Sequence, residues 1–257
     1  MSDMTLLGIL ATVLQSGALA VVIVSTIKLM INKNATFLPF MFVLAMSSYF
    51  LSNLYWIAYD LLKPDTRMPI ASNEIGECAM ILLLSAGLDA LLDGKQKKVG
   101  EVLFAFLFIG ANIVLWIAWS GEWFQDILFG IPYVYFMWIL IRGLRSRGVL
   151  TLKELLLVSI ACISVLIMQI PLLVVKGNLF ELTEVVCFVV MFAVITWLGI
   201  KSFRCKDFFL ASTFFLWTEL SMFLSPDVYY NVAMAANTIA CFFMFLSMKK
   251  ELANDLR

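Results

Sequence analysis

Residues 70–92 read IASNEIGECAMILLLSAGLDALL, and whether this stretch crosses a membrane decides the fold of the whole chain. Its apolar run lies between Glu74 and Glu77 at one end and Asp89 at the other. A helix needs about 20 predominantly apolar residues to cross the hydrocarbon core, and these acids make 70–92 the least regular of nine such stretches. The others lie near 5–30, 37–61, 101–119, 123–141, 155–175, 179–200, 208–225 and 229–248. If 70–92 stayed on one side, every later segment would be inverted and the basic loops would fall on both sides.

Charge in the connectors argues that it crosses. The chain has 18 lysines and arginines, and only Lys63, Arg67 and Lys176 follow the second, fourth, sixth or eighth segment. Lys28 and Lys33 follow the first, Lys95, Lys97 and Lys98 the third, and Arg142, Arg145, Arg147 and Lys153 the fifth. Lys201, Arg204 and Lys206 follow the seventh, and Lys249, Lys250 and Arg257 lie in the tail. Basic residues in short loops stay cytoplasmic during insertion. The expected fold is therefore all-α: a polytopic integral membrane bundle of nine transmembrane helices in the cell membrane, with the N-terminus outside and the C-terminus cytoplasmic. Residues 1–257 form one transmembrane domain, and 249–257 a short cytoplasmic tail with Leu252 and Leu256 on one helix face. Trp56, Trp116, Trp119, Trp123 and Trp217 fall towards the outer interface, Trp138 and Trp197 towards the inner one.

Composition supports a lipid partner and excludes several functions. Hydrophobic residues make up 63% and charged residues 14%, against about 25% charged in soluble domains. The formal net charge is zero, which disfavours nucleic acid as a partner because phosphate binding needs a concentrated basic surface. There is no histidine, so the commonest general base and metal ligand are missing. The five cysteines are scattered, without metal or disulfide spacing. No metal site, cofactor or catalytic residue is assigned. MSDMTLLGIL begins with an acid and has no basic region, and reads as a retained first helix. The sequon at 34–36 falls in a cytoplasmic loop and is read as chance.

Ionisable groups inside spans are costly and mark cavities, partners or the bundle interior. On this topology Asp60, Asp65, Glu74, Glu77, Glu122, Asp126, Glu181, Glu184, Glu219 and Asp227 gather at the outer side. Helix capping accounts for those at segment starts. Glu77 and Glu184 lie one turn deeper, and Glu219 lies well inside the eighth segment. Gln15, Asn53, Asn112 and Asn237 add amides to four other segments, with Ser16 and Gln169 beside them in character, and Tyr55 shares a face with Tyr59. The candidate ligand-binding set is Glu77, Glu184, Glu219, Gln15, Asn53, Asn112, Asn237 and Tyr55. Gly130 and Pro132 would supply flexibility to the fifth segment, Pro171 would break the sixth, and Gly17, Gly87 and Gly110 would permit close helix contact.

The string from Ser85 to Gly94, SAGLDALLDG, resembles a Gly-Asp stretch of the lysoplasmalogenase-like membrane hydrolases, a family of similar size with eight spans. The likeness is confined to that string, and no site residue is carried over from it. Three functional expectations result. The leading one is a small-solute transporter with an acidic outward-facing entrance and a polar intramembrane site for a cationic or polar solute. The second is a ligand sensor acting through a separate cytoplasmic protein partner. The third is a histidine-free intramembrane enzyme working with carboxylates.

Overall fold

The structure, a computed structural model, describes residues 3–33, 37–63, 72–92, 98–120, 123–172, 178–225 and 227–254. The sequon at 34–36, Asp65, Arg67, Asp93, Lys95, Lys97, Glu122, Lys176, Leu256 and Arg257 lie outside them. Among the described residues there are nine α-helices and no strand: α1 (Asp3–Lys33), α2 (Phe37–Leu62), α3 (Ser72–Asp89), α4 (Val99–Ser120), α5 (Trp123–Arg147), α6 (Leu152–Leu172), α7 (Asn178–Cys205), α8 (Phe208–Leu224) and α9 (Asp227–Asn254). A 3-10 turn, Ala90–Leu92, continues α3.

Seven of these helices, α1 to α5, α7 and α9, are long and apolar enough to cross a membrane. The decisive stretch is among them, from Glu74 to Leu92. The apolar part of α6, Leu156–Ile170, and the 17-residue α8 are shorter. At 1.5 Å per residue α8 reaches about 26 Å, yet every side chain from Phe208 to Ser221 is buried. It is the central element, walled by α5, α7 and α9. The outer helices expose large apolar side chains such as Leu14, Ile31, Phe106, Leu157 and Val189. A water-soluble surface rarely carries so much contiguous apolar area, and these faces suit a lipid surround.

Polar contacts fix the run of the chain. Gln125 Nε2 donates to Glu74 Oε1 at 2.5 Å near the starts of α5 and α3, and Arg142 meets Asp89 at 3.1 Å near their ends, so these two helices are parallel. Arg145 pairs with Glu101 of α4 at 2.7 Å. Arg147 pairs with Asp207, just before α8, at 3.3 Å and with Glu251 of α9 at 2.5 Å. Lys201 of α7 pairs with Glu154 of α6, and Lys250 Nζ donates to the Cys205 carbonyl at 2.9 Å. The ends of α3, α5, α7 and α9 thus meet the starts of α4, α6 and α8 at one end of the bundle, in a belt of ion pairs.

Local rules explain the junctions there. Thr151 and Glu154 form a reciprocal capping box: Thr151 N–H donates to Glu154 Oε2 at 2.8 Å, and Glu154 N–H donates back to Thr151 Oγ1 at 3.3 Å. Asp207 caps α8 by accepting the Leu210 N–H at 3.0 Å. Beside the Arg147 cluster, α5 crosses α8 so closely that a Cβ on Gly143 would lie 1.9 Å from Phe209 Cδ1.

Several sequence expectations change here. Gly17 and Gly110 face open space, while Gly87 does pack, against Leu38. The closest approaches fall instead at Gly76, Gly130 and Gly143, where the neighbouring helix meets the glycine itself. α5 runs unbroken through Gly130 and Pro132, both of them buried. Trp116 and Trp217 are buried among other rings, not displayed at an interface. Leu252 is buried in the bundle and so is withdrawn from an external partner.

Candidate functional site

The interior between α1, α2, α8 and α9 is polar. Asn53 Nδ2 donates to Gln15 Oε1 at 2.9 Å, and Gln15 Nε2 donates to Asn237 Oδ1 at 3.0 Å. Asn237 Nδ2 then donates to Glu219 Oε2 at 2.7 Å and to Thr218 Oγ1 at 3.1 Å. Tyr49 adds its hydroxyl to Asn237 Oδ1 at 3.1 Å and to Glu219 Oε2 at 3.4 Å. Every amide step points the same way, from Asn53 through Gln15 and Asn237 to the carboxylate. Asn237 is saturated, with two bonds donated and two accepted. Glu219 is 1% exposed.

This chain of bonds has a chemical polarity. A carboxylate accepts; once protonated it must also donate. Asn237 Oδ1 is already filled by Gln15 and Tyr49, while the Tyr49 hydroxyl oxygen, 3.4 Å from Glu219 Oε2, can still accept. A change of protonation at Glu219 bears first on its bonds with Tyr49 and Asn237. Buried networks of this kind are costly when half satisfied.

One turn further along α8 the bundle opens into a cavity of about 280 Å³, lined by Glu74, Glu77 and Cys78 of α3, Trp116 of α4, Asp126, Phe129 and Tyr133 of α5, and Phe223 of α8. Glu219 and Phe223 are separated by four residues and so lie on one face of α8. Tyr133 links the two regions, being within electrostatic reach of both Glu77 and Glu219. The cavity lies at the end where α3 and α5 begin, opposite the ion-pair belt. Three of its four aromatic rings pack together: Trp116 and Phe223 have centroids 5.3 Å apart, Trp116 and Tyr133 6.0 Å, and Tyr133 and Phe223 6.1 Å. A second cavity, about 490 Å³ between α4 and α6, is walled by apolar residues such as Phe104, Leu107 and Ile167 and has nothing polar to orient a solute.

Four of the eight sequence-predicted site residues, Gln15, Asn53, Asn237 and Glu219, meet in the network. Glu77 lines the cavity. The other three sit elsewhere. Glu184 is half-buried on α7 within reach of Cys187, which accepts from Gln169 Nε2 at 3.2 Å. Asn112 is buried on α4 and donates to the Phe108 carbonyl of its own helix at 2.9 Å. Tyr55 is half-buried beside Tyr59, with ring centroids 6.3 Å apart. Asp89, in the Gly-Asp string, is paired with Arg142, and Ser85 donates to the Ile81 carbonyl one turn back. Sequence reasoning missed Tyr49, Thr218, Trp116 and Tyr133. Tyr49 carried a signal, since it lies four residues before Asn53 and one turn away on the same face.

Outside the apolar spans, Glu154 is the titrating group with a distinct environment. The Lys201 ammonium, followed by the Thr151 N–H and hydroxyl, hold its carboxyl down at about 2. Among the described residues, no cluster of acids and thiols is arranged to hold a metal ion.

The fold and the buried polar site together are compatible with a multi-pass membrane protein. Comparison with protein-family models, with curated proteins and with solved structures finds no match for this chain.

Proposed function

We propose that the chain is a small-solute transporter of the cell membrane, in which Glu219 couples solute binding to helix rearrangement. The carrying observation is the buried Glu219 carboxylate, which ends a one-way hydrogen-bond chain across four helices and lies one turn from an acid-lined cavity. Intramembrane carboxylates usually mark ion or proton routes. In this reading all nine helices span as one domain, with the N-terminus outside and residues 249–257 in the cytoplasm. The length of α8 is no obstacle, because hydrophobic matching constrains lipid-facing helices and α8 is buried in protein from Phe208 to Ser221.

On this reading the acids of the cavity concentrate a cationic solute at the outer face. Its arrival, or that of a proton, reorders the bonds at Glu219 and shifts α8 and α9 against α1 and α2. The experiment is solute-driven internal pH change in dye-loaded proteoliposomes, screened over small cationic and polar solutes. Glu219→Gln should abolish the signal while the protein inserts and stays monodisperse. Undiminished signal from that variant refutes the role of Glu219.

A further inference from the structure

At the end of the bundle that carries the ion-pair belt, the belt's own cations are neutralised by acids: Arg142 by Asp89, Arg145 by Glu101, Lys201 by Glu154, and Arg147 by Asp207 and Glu251. The junction of α7 with α8, beside the end of α9, is different. Arg204, Lys206 and Lys249 are exposed there, and their side chains make no ion pair with any described residue. The acids of the same junction, Asp207 and Glu251, are already taken by Arg147. Lys250 stands with the three: its Nζ donates to the Cys205 carbonyl at 2.9 Å, which brings the end of α9 against the residue between Arg204 and Lys206. The turn itself is tied down, since the Lys206 N–H donates to the Ser202 carbonyl at 2.9 Å. Retention of basic residues in the cytoplasm accounts for the end at which these cations stand. It does not account for their gathering at one junction whose acids are engaged elsewhere.

The surface next to these cations is apolar. On α7, Ile200 and Phe203 are exposed and lead into Arg204, one turn past Ile200. On α9, Ile239 and Leu246 are exposed two turns apart on one face, and Lys249 and Lys250 follow within one further turn. Phe203 and Phe243 join the two helices, with ring centroids 5.6 Å apart. An uncompensated cationic patch therefore borders two apolar strips, which is the complement of a phospholipid with an anionic headgroup. A free phosphate or an acidic protein segment would use the cations and leave the strips bare. We propose that this junction binds an anionic phospholipid, its phosphate held by Arg204, Lys206 and Lys249 and its acyl chains lying along Ile200, Phe203 and Leu246. The planar guanidinium fork of Arg204 suits a pair of phosphate oxygens, and the lysines add point charges. On the proposed topology the lipid belongs to the cytoplasmic leaflet. The site stands apart from Glu219 and does not rest on the transport reading.

The test is native mass spectrometry of the delipidated full chain in detergent micelles, titrated with phosphatidylglycerol or with phosphatidylcholine of the same acyl chains. Phosphatidylglycerol should form a first adduct at least about tenfold tighter than phosphatidylcholine does. A basic residue near an anionic lipid surface is worth roughly a factor of five, so neutralising three together, Arg204→Gln with Lys206→Gln and Lys249→Gln, should weaken that adduct about a hundredfold. Lys28, Lys98 and Lys153 are also exposed but lie on α1, before α4 and on α6. Changing those three to glutamine removes the same charge and should alter the adduct less than about threefold at physiological ionic strength, where exposed charges are screened beyond about 8 Å. The inference is overturned by equal binding of the two lipids to the native chain, or by equal losses from the two triple variants in monodisperse protein. Displacement of phosphatidylglycerol by inorganic phosphate at matched concentration would also overturn it, assigning the patch to a soluble anion. Displacement by polyglutamate would overturn it in favour of an acidic protein partner.

Discussion

Replacing Asn237 by leucine tests whether the four-helix network is a cooperative unit. The substitution keeps the branched shape and the number of heavy atoms and deletes four hydrogen bonds: from Gln15 at 3.0 Å, from Tyr49 at 3.1 Å, to Thr218 at 3.1 Å and to Glu219 at 2.7 Å. Neutral interhelical bonds in membrane proteins average about 0.6 kcal/mol each. The bond to the carboxylate is worth about 1.5–3 kcal/mol. The expected loss is about 4 kcal/mol, close to a thousandfold in the unfolding constant. Asn112→Leu is the control, because Asn112 donates within its own helix, to the Phe108 carbonyl; its cost should stay below about 1 kcal/mol. Reversible unfolding in mixed detergent micelles, followed by helical circular dichroism, measures both. If Asn237→Leu falls within about 1 kcal/mol of Asn112→Leu, the network does not hold these helices together.

Other outcomes concern single sites. Gly143→Ala would place its methyl 1.9 Å from Phe209 Cδ1, and overpacking of that kind costs about 1–3 kcal/mol. Adding Phe209→Leu should recover part of the loss, and an unchanged melting temperature in Gly143→Ala would contradict the α5–α8 contact. Glu154 is held at about 2, below its ordinary 4.5, chiefly by Lys201. Its folded carboxyl is the more acidic form, so its stabilisation is complete above about pH 4.5 and is lost as pH falls towards 2. The melting difference between the native chain and Glu154→Gln should therefore shrink steadily with acidification, whereas a gap independent of pH would argue against the Lys201 pair.

Much of the helical order was readable because apolar runs of sufficient length have few alternatives. The decisive stretch at 70–92 illustrates this: its acids lie towards its ends, and the helix, Ser72–Asp89, takes them into its terminal turns. What each helix turns towards its neighbours was harder to read. In a membrane, lipid is as apolar as a protein core, so hydropathy does not separate a central helix such as α8 from a peripheral one such as α6. The pairs Glu74/Glu77 and Glu181/Glu184 have identical spacing, yet the first lines a cavity and Glu181 is exposed on α7. Rotation about the helix axis separates them, and rotation is set by tertiary packing. Asn53, Gln15, Asn237 and Glu219 stood out because polar residues in spans are few. Tyr133 and Trp116 did not, since an aromatic side chain serves equally as filler, anchor or ligand wall until its neighbours are known.

The most direct test of Glu219 as the coupling group is infrared difference spectroscopy on the reconstituted chain, with and without a bound cationic solute. A carboxyl band should change on solute addition and be missing in Glu219→Gln, because filling the cavity alters the proton or hydrogen bonds of that side chain one turn away. Identical difference spectra from the native chain and Glu219→Gln, with solute bound to both, would contradict a coupling role for Glu219.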